Sequence, residues 1–383
     1  MSVRLLLSAG EPSGDLYAGA LTRELQTLAP GLSIRGLAGP EFAAAGGTLL
    51  ADYMGLTVTG FTAIPAKLPR LRATMARLAA DAAEHRPDAL IVIDFFGFNA
   101  RLARRVKALG VPVVYYVSPQ IWAWRRGRLD TIRRIADRVL VIFPFEETIY
   151  REAGVPVEFV GHPLVDLARA TEPRERFLSR LGLAPSRPTV AMLPGSRPGE
   201  VRRILGGLAL AADRIRARVP DVQFVVARAP NLADDLFEPI RTSIARAEIA
   251  MATGQADAVL ASADVVVTAS GTATVQAALH DVPMVVVYRL SPFEYRLGKP
   301  FVAVNMYAMV NLIAGERIVP ELIQNAFTPE AVAEEATSML TDPARAARIR
   351  EGLRRVRERL GGPGASRRAA EAILRLVGSR API

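Results

Sequence analysis

Three short segments of this chain hold residue types that could do chemistry at a useful spacing. The first, SAGEPSGD (8–15), follows the apolar run VRLLLS and supplies two carboxylates, Glu11 and Asp15. Gly10 and Gly14 permit a tight turn, and Ser13 or Asp15 can cap a helix beginning near Leu16. The second, LPGSRPGEV (193–201), repeats the pattern with Gly195, Ser196 and then Arg197, whose planar guanidinium suits a diphosphate through two parallel hydrogen bonds. In the third, TASGTATVQAALHDVP (268–283), Ser270, Gly271 and Thr272 sit at a strand-to-helix junction, with Gln276 one turn further on, in reach of a ribose hydroxyl. Small residues at such a junction let a phosphate approach free backbone amides. Taken singly, each segment also reads as an ordinary capped turn; two anion-cradling junctions in one region are harder to read that way. Neither the GxGxxG fingerprint nor a GxxxxGK[ST] loop occurs.

These junctions need strands and helices to position them. Apolar runs at 3–8, 89–94, 112–118 and 138–143 alternate with Ala/Leu/Arg-rich helical stretches, and a second series follows at 189–195, 223–228, 247–252, 258–261, 264–270 and 283–289. Continuous apolar strands between helices predict parallel sheets covered on both faces. The expected class is α/β, with two Rossmann-like, doubly wound domains facing across a cleft and the ligand at the carboxyl ends of the strands. The polar, proline-punctuated stretch 161–188 reads as the linker region. Expected bounds are 1–170, 171–350 and a helical segment, 351–383.

Composition excludes several classes. The chain has 383 residues, 50% of them hydrophobic, which is ample for two cores and rules out disorder. It has no cysteine, so disulfides, thiolate catalysis and cysteine-zinc sites are excluded, and three scattered histidines make no metal cluster. The net charge of +10 is local: residues 101–138 contribute +8 and 341–383 contribute +7, leaving −5 elsewhere, as an anion-facing surface would require. No apolar run reaches the roughly 18 to 20 residues that span a bilayer, and the start is too short for a signal-peptide core, which predicts a cytoplasmic protein.

The ordered set SAGEPSGD, YYVSPQIWAWRRGR (115–128), GHPL (161–164), LPGSR and ASGTAT (269–274), with VNLIAGERIVPELIQ (310–324) also fitting, resembles the lipid-A-disaccharide synthase family. The resemblance implies the GT-B glycosyltransferase architecture, with the C-terminal helix crossing back onto the first domain. It also implies transfer of a diacylglucosaminyl group from UDP-diacylglucosamine to the six-hydroxyl of an acylated glucosamine 1-phosphate, with a β link formed and UDP released. It carries UDP binding onto Gly195, Ser196, Arg197, Ser270, Gly271, Thr272 and Asn311. Arg197 and the helix N-terminus near Thr272 suit stabilisation of the leaving UDP, so neither metal nor cofactor is expected.

Two positions depart from the family pattern. Where many members read IDxPDFN, this chain reads IDFFGFN, with Gly97 in place of the second, catalytic Asp, and Gln276 stands where Glu is more frequent. The base must then be another carboxylate. Glu11, directly after the first strand, comes first, followed by Asp94 and Asp15; Asp94 reads equally as the cap of the following turn. Gly14, Ser118, Trp122, Arg125 and His162 are expected along the acceptor cleft, with the arginines near Trp122 suited to the acceptor's 1-phosphate and His162 at a hinge or cleft wall.

The segment 60–78 sets Phe61, Ile64, Leu68 and Leu71 among Lys67, Arg70, Arg72 and Arg77 without an acid. Such a segment suits an anionic inner-membrane surface, with the protein peripherally bound, though it also reads as an ordinary packed amphipathic helix. The interleaved aromatics and arginines at 115–128 are not read as a nucleic-acid patch, because no binding module accompanies them. A homodimer fits the resemblance. The alternatives are a UDP-N-acetylglucosamine epimerase-like enzyme on the same fold, or a catalytically weakened lipid- or UDP-binding homologue.

Overall fold

The structure is a computed structural model that describes residues 3–56, 64–119, 127–247, 249–291, 295–296 and 305–379. Two compact units emerge: Met1–Asp166 joined by Leu360–Ile383, and Leu167–Lys299 joined by Val304–Arg359.

The first unit is built on a seven-stranded sheet: β1 (Arg4–Ala9), β2 (Ser33–Ala38), β3 (Thr48–Asp52), β4 (Ala89–Ile93), β5 (Val113–Tyr116), β6 (Arg138–Val141) and β7 (Val157–Phe159). Its spatial order is β3-β2-β1-β4-β5-β6-β7 and every pairing is parallel. All five residues of β4, Ala-Leu-Ile-Val-Ile, are fully buried, the signature of a central strand covered on both faces. The Phe96–Lys107 helix buries Phe98, Leu102, Ala103 and Val106 on one side and turns its arginines outward.

The second unit repeats the winding with β8 (Thr189–Leu193), β9 (Gln223–Arg228), β10 (Ile249–Thr253), β11 (Val265–Ala269), β12 (Met284–Tyr288) and β13 (Glu321–Ile323), in the parallel order β10-β9-β8-β11-β12-β13. In each unit the strand order reverses once, between β1 and β4 and between β8 and β11. Adjacent connections there leave to opposite faces, which opens a crevice at the carboxyl ends of those two strands.

Residues far down the chain complete the first unit. The Ala365–Gly378 helix buries Ala365, Ala369, Ala372 and Ile373, at helical spacing, and packs against the Pro12–Leu28 helix. Asp166 caps its start, with Oδ2 accepting from Gly364 N at 2.8 Å and Ala365 N at 3.3 Å.

Some expectations are corrected. The run 258–261 is not a strand but the end of the Ala256–Ala261 helix. The first helix begins at Pro12, not near Leu16, because proline is preorganised for the first helical position and lacks only an amide hydrogen that would go unused there. Neither Ser13 nor Asp15 caps it; the N-cap is Glu11, with no side-chain cap bond.

Candidate active site

At the β1/β4 crevice, Gly10 lets two loops close on each other: a Cβ there would lie 2.2 Å from Phe95 Cδ1. The loops carrying Glu11 and Asp94 are therefore adjacent. Asp94, Phe95 and Val117 all adopt left-handed backbone, at φ of 43°, 44° and 57°. Each such residue stores about 1–3 kcal/mol, and a β-branched valine is a true outlier, so the surrounding contacts must hold them. Asp94 N donates to Val117 O at 3.2 Å, and Tyr115 Oη donates to Asp94 O at 2.8 Å. Asn99, fully buried, is the hub: Nδ2 reaches Ser8 O (3.2 Å), Ile93 O (3.1 Å) and Asp94 O (2.9 Å), while Oδ1 accepts from Ser8 Oγ at 2.6 Å.

Charge is concentrated at the same strand ends. Burial, followed by the Asp94 charge, pushes the Tyr115 phenol well above its ordinary pKa. Burial lowers the Arg128 guanidinium, with the Asp94 charge acting in the opposite sense. Arg128 lies 5.0 Å over the Phe96 ring. A carboxylate, a cation and a neutral phenol thus share one edge, and Asp94 is not the cap of the following helix, whose N-cap is Phe95. An added Cβ at Gly97 meets nothing within 4 Å, so no packing demand explains that glycine.

Asp15 is withdrawn as a base. It is 2% exposed and accepts from Gly39 N (2.7 Å), Glu41 N (3.0 Å) and Phe42 N (3.1 Å), which anchors the start of the Pro40–Ala44 helix. Gly14 is helical, and a Cβ there would sit 3.3 Å from Ala9 Cβ, so it serves close packing on the sheet rather than a turn. Ser118 is buried and donates to Glu146 Oε1 at 3.0 Å. His162 is 2% exposed; its backbone N–H donates to Leu360 O at 2.8 Å, and its ring Nδ1 accepts from Leu164 N at 3.1 Å. Burial drops its pKa to about 3, which removes it as an acid or base near neutrality. Trp122, Arg125 and Phe61 lie outside the described residues, as does the side chain of Ile64.

The β8/β11 crevice is constructed differently. Gly195 has φ 116°, and a Cβ there would meet Glu200 Oε2 at 2.6 Å. Ser196 is exposed, and Arg197 is the N-cap residue of the Pro198–Arg218 helix, its Nη1 held by Glu200 Oε1 at 3.1 Å. Gly271, at φ 153° and ψ −158°, occupies a region open essentially to glycine alone, and nothing lies within 4 Å of an added Cβ. Thr272, exposed, starts the next helix, and Ser270 Oγ donates to Tyr307 O at 2.7 Å. Gln276 donates weakly to Asp257 Oδ1 at 3.4 Å, beside His280 Nε2 at 2.9 Å from the same oxygen.

Asn311 is corrected from a ligand-binding side chain to a brace. It is fully buried, with Nδ2 donating to Val319 O and Glu321 Oε1 and Oδ1 accepting from Ile318 N and Val319 N. Glu321, which sequence reasoning did not single out, accepts as well from Tyr307 N and Ala308 N and so shapes the loop beneath Ser270.

Much of the positive charge of the basic C-terminal stretch is directed to the protein's own acceptors. Arg357 donates to Leu279 O, Arg359 to Ile313 O and Ala314 O, and Arg368 to Val160, Gly362 and Pro363 carbonyls, while Arg375 pairs with Glu158. These arginines largely satisfy carbonyls at helix and strand ends. In the Ile64–His85 helix, Leu68 and Arg70 are exposed and Lys67 is half-buried, whereas Leu71 packs against the core and Leu78 is fully buried. Leu71 is therefore removed from the membrane-contact set. Among the described residues no helix is long and apolar enough to cross a membrane, and no three His, Asp or Glu side chains are grouped to hold a metal ion.

Comparison with known proteins bears on this geometry. The sequence profile of a family described as Lipid-A-disaccharide synthetase matches residues 5–376. Lipid-A-disaccharide synthase of Myxococcus xanthus is 44% identical over 376 residues, covering 98% of this chain and 97% of the relative. That of Geobacter sulfurreducens is 40% identical over 379 residues, covering 99% and 98%. Among solved structures, the UDP-GlcNAc 2-epimerase from Neisseria meningitidis bound to UDP-GlcNAc superposes with a TM-score of 0.69 at 11% identity, over 98% of this chain and 100% of that one. The calicheamicin glycosyltransferase CalG4 gives 0.62 at 17% identity over the whole of both chains. At such identities these two show the fold alone, that of the two-domain GT-B glycosyltransferases and epimerases. Family profile and relatives agree over nearly the whole sequence: the chain belongs to the lipid-A-disaccharide synthases, glycosyltransferases of lipid A synthesis.

Proposed function

We propose that the enzyme is an inverting transferase that moves the diacylglucosaminyl group of UDP-2,3-diacylglucosamine to 2,3-diacylglucosamine 1-phosphate, forming the β-1,6-linked lipid A disaccharide 1-phosphate and UDP. One observation carries this reading. The two topological switch points bear complementary chemistry, a braced carboxylate beside a cation in the first unit and two glycine-opened helix N-termini with an arginine in the second.

In this reading the second unit binds the donor. Gly195, Ser196, Arg197 and the Ser270–Thr272 junction hold the diphosphate, and Gln276 meets the ribose. The first unit binds the acceptor. Its six-hydroxyl oxygen attacks the donor's anomeric carbon from the face opposite UDP. The bond from that carbon to the phosphate oxygen breaks, and its electron pair leaves with UDP, where Arg197 and the helix N-termini offset the charge. The hydroxyl proton passes to Asp94, whose backbone is locked by Asn99 and Tyr115, with Glu11 as the neighbouring carboxylate. Leu68, Lys67 and Arg70 contact an anionic membrane surface on which both lipids lie.

The test is direct. Purified protein given UDP-diacylglucosamine alone should release little UDP, and addition of the acylated 1-phosphate acceptor should start release together with disaccharide formation. UDP release independent of acceptor would indicate epimerase-type chemistry, and tight UDP binding without turnover would sink the proposal.

A further inference from the structure

Two buried side chains of the first unit have polar tips without a hydrogen-bond partner among the described residues. Tyr17 is 3% exposed and His162 2%. Their rings meet edge to face with centroids 6.0 Å apart, and Phe143 tilts against His162 at 5.4 Å. Tyr17 stands on the helix after β1, Phe143 follows β6 and His162 follows β7, so three segments from the carboxyl edge of one sheet converge. Among the described residues neither Tyr17 Oη nor His162 Nε2 has a hydrogen-bond partner, yet neither is among the buried polar atoms closed off from solvent. Buried polar groups normally find partners, so an unmatched adjacent pair points to a ligand atom.

The hydrogen-bonding character of the pair is fixed. Because Leu164 N donates to His162 Nδ1, the imidazole proton resides on Nε2, and burial keeps the ring neutral. Burial first, then the charges of Tyr116 and Asp94, raises the Tyr17 phenol, so it stays protonated at ordinary pH. A neutral N–H donor beside a hydroxyl that can donate or accept matches an alcohol oxygen. An anionic oxygen is disfavoured because the Asp94 charge already acts on Tyr17. The surrounding aromatic walls strengthen such hydrogen bonds by excluding water.

We infer that Tyr17 and His162 form a hydroxyl-binding subsite that holds a sugar hydroxyl of the acceptor near Asp94. This rests on the assignment of the acceptor to the first unit. Glucosamine 1-phosphate, soluble and without acyl chains, is the probe. Tyr17→Phe keeps the ring and removes only the hydroxyl; it should weaken probe binding about three- to tenfold by calorimetry and raise the acceptor KM by the same factor, with UDP affinity and melting temperature unchanged. His162→Phe should do the same, and His162→Gln, which restores an N–H donor, should recover much of the loss. Equal probe affinity in Tyr17→Phe and the parent protein overturns the inference. Tyr17-dependent probe binding without UDP release from the acylated pair would leave the subsite standing and sink the transferase reading.

Discussion

The two switch points solve the same positioning problem by opposite means. At β1/β4 the chain places non-glycine residues, Asp94, Phe95 and Val117, in left-handed backbone; Asn99 and Tyr115 side chains donate to Asp94 O, and Asp94 N donates to Val117 O. At β8/β11 it uses glycines, Gly195 and Gly271, which adopt unusual backbone without strain and, at Gly271, leave open space. Aiming a side chain requires rigidity and tolerates strain. Offering backbone amides to a phosphate requires clearance. The contrast separates an edge of strained, braced backbone from an edge of unstrained glycine junctions within one repeated fold; in the function proposed above, the first handles the proton and the second binds the anion.

The largest effect should come from the strained edge. Asp94→Asn keeps size and backbone preference but removes the proposed base, so kcat should fall by about 10²–10⁴ with UDP affinity unchanged in calorimetry. An equal loss of UDP binding would erase the distinction between the edges. Titration of His162 comes next, and the sign follows from its lowered pKa. Between about pH 3 and 6.5 the unfolded chain takes up a proton that the folded unit refuses, so stability is full above 6.5 and falls as pH drops toward 3. The contribution is at most about 5 kcal/mol, and His162→Gln should flatten the urea-midpoint profile between about pH 4 and 6.5. At the glycine edge, Arg197→Ala should weaken UDP about tenfold to a hundredfold while leaving probe binding to the first unit untouched. The smallest effect tests the strain itself. Val117→Gly should change stability by no more than about 1 kcal/mol, because released strain offsets lost contacts, whereas Val114→Gly, fully buried on β5 just before it, should cost about 3 kcal/mol or more.

Much of this was legible in the sequence, for physical reasons that also mark where legibility stops. Central strands such as Ala89–Ile93 are apolar on both faces and announce themselves, whereas β2, with Arg35 and Gly36 inside it, and the three-residue edge strands β7 and β13 do not. The run Ala-Val-Leu-Ala at 258–261 is too short for periodicity to separate strand from helix. The glycine junctions after β8 and β11 were visible because their composition is local. Asn99, Tyr17 and Glu321 were not singled out, because their importance lies in partners distant along the chain: Asn99 in helix 96–107 bonds Ser8 on β1. Asp15 looked like a candidate base and Asn311 like a ligand-binding side chain for the converse reason. A polar residue near a motif carries no sign of whether backbone amides have already claimed it.

The helix at Ala365–Gly378 gives the order of synthesis a role. The second unit runs essentially continuously from residue 167 to 359, so it can complete its core while the ribosome is still adding the remaining residues. The first unit, though translated earlier, keeps the outer face of its Pro12–Leu28 helix uncovered until the last helix emerges to be capped by Asp166. A nascent chain stalled before residue 360 would therefore carry a finished second unit and an unfinished first one, a natural client for chaperones.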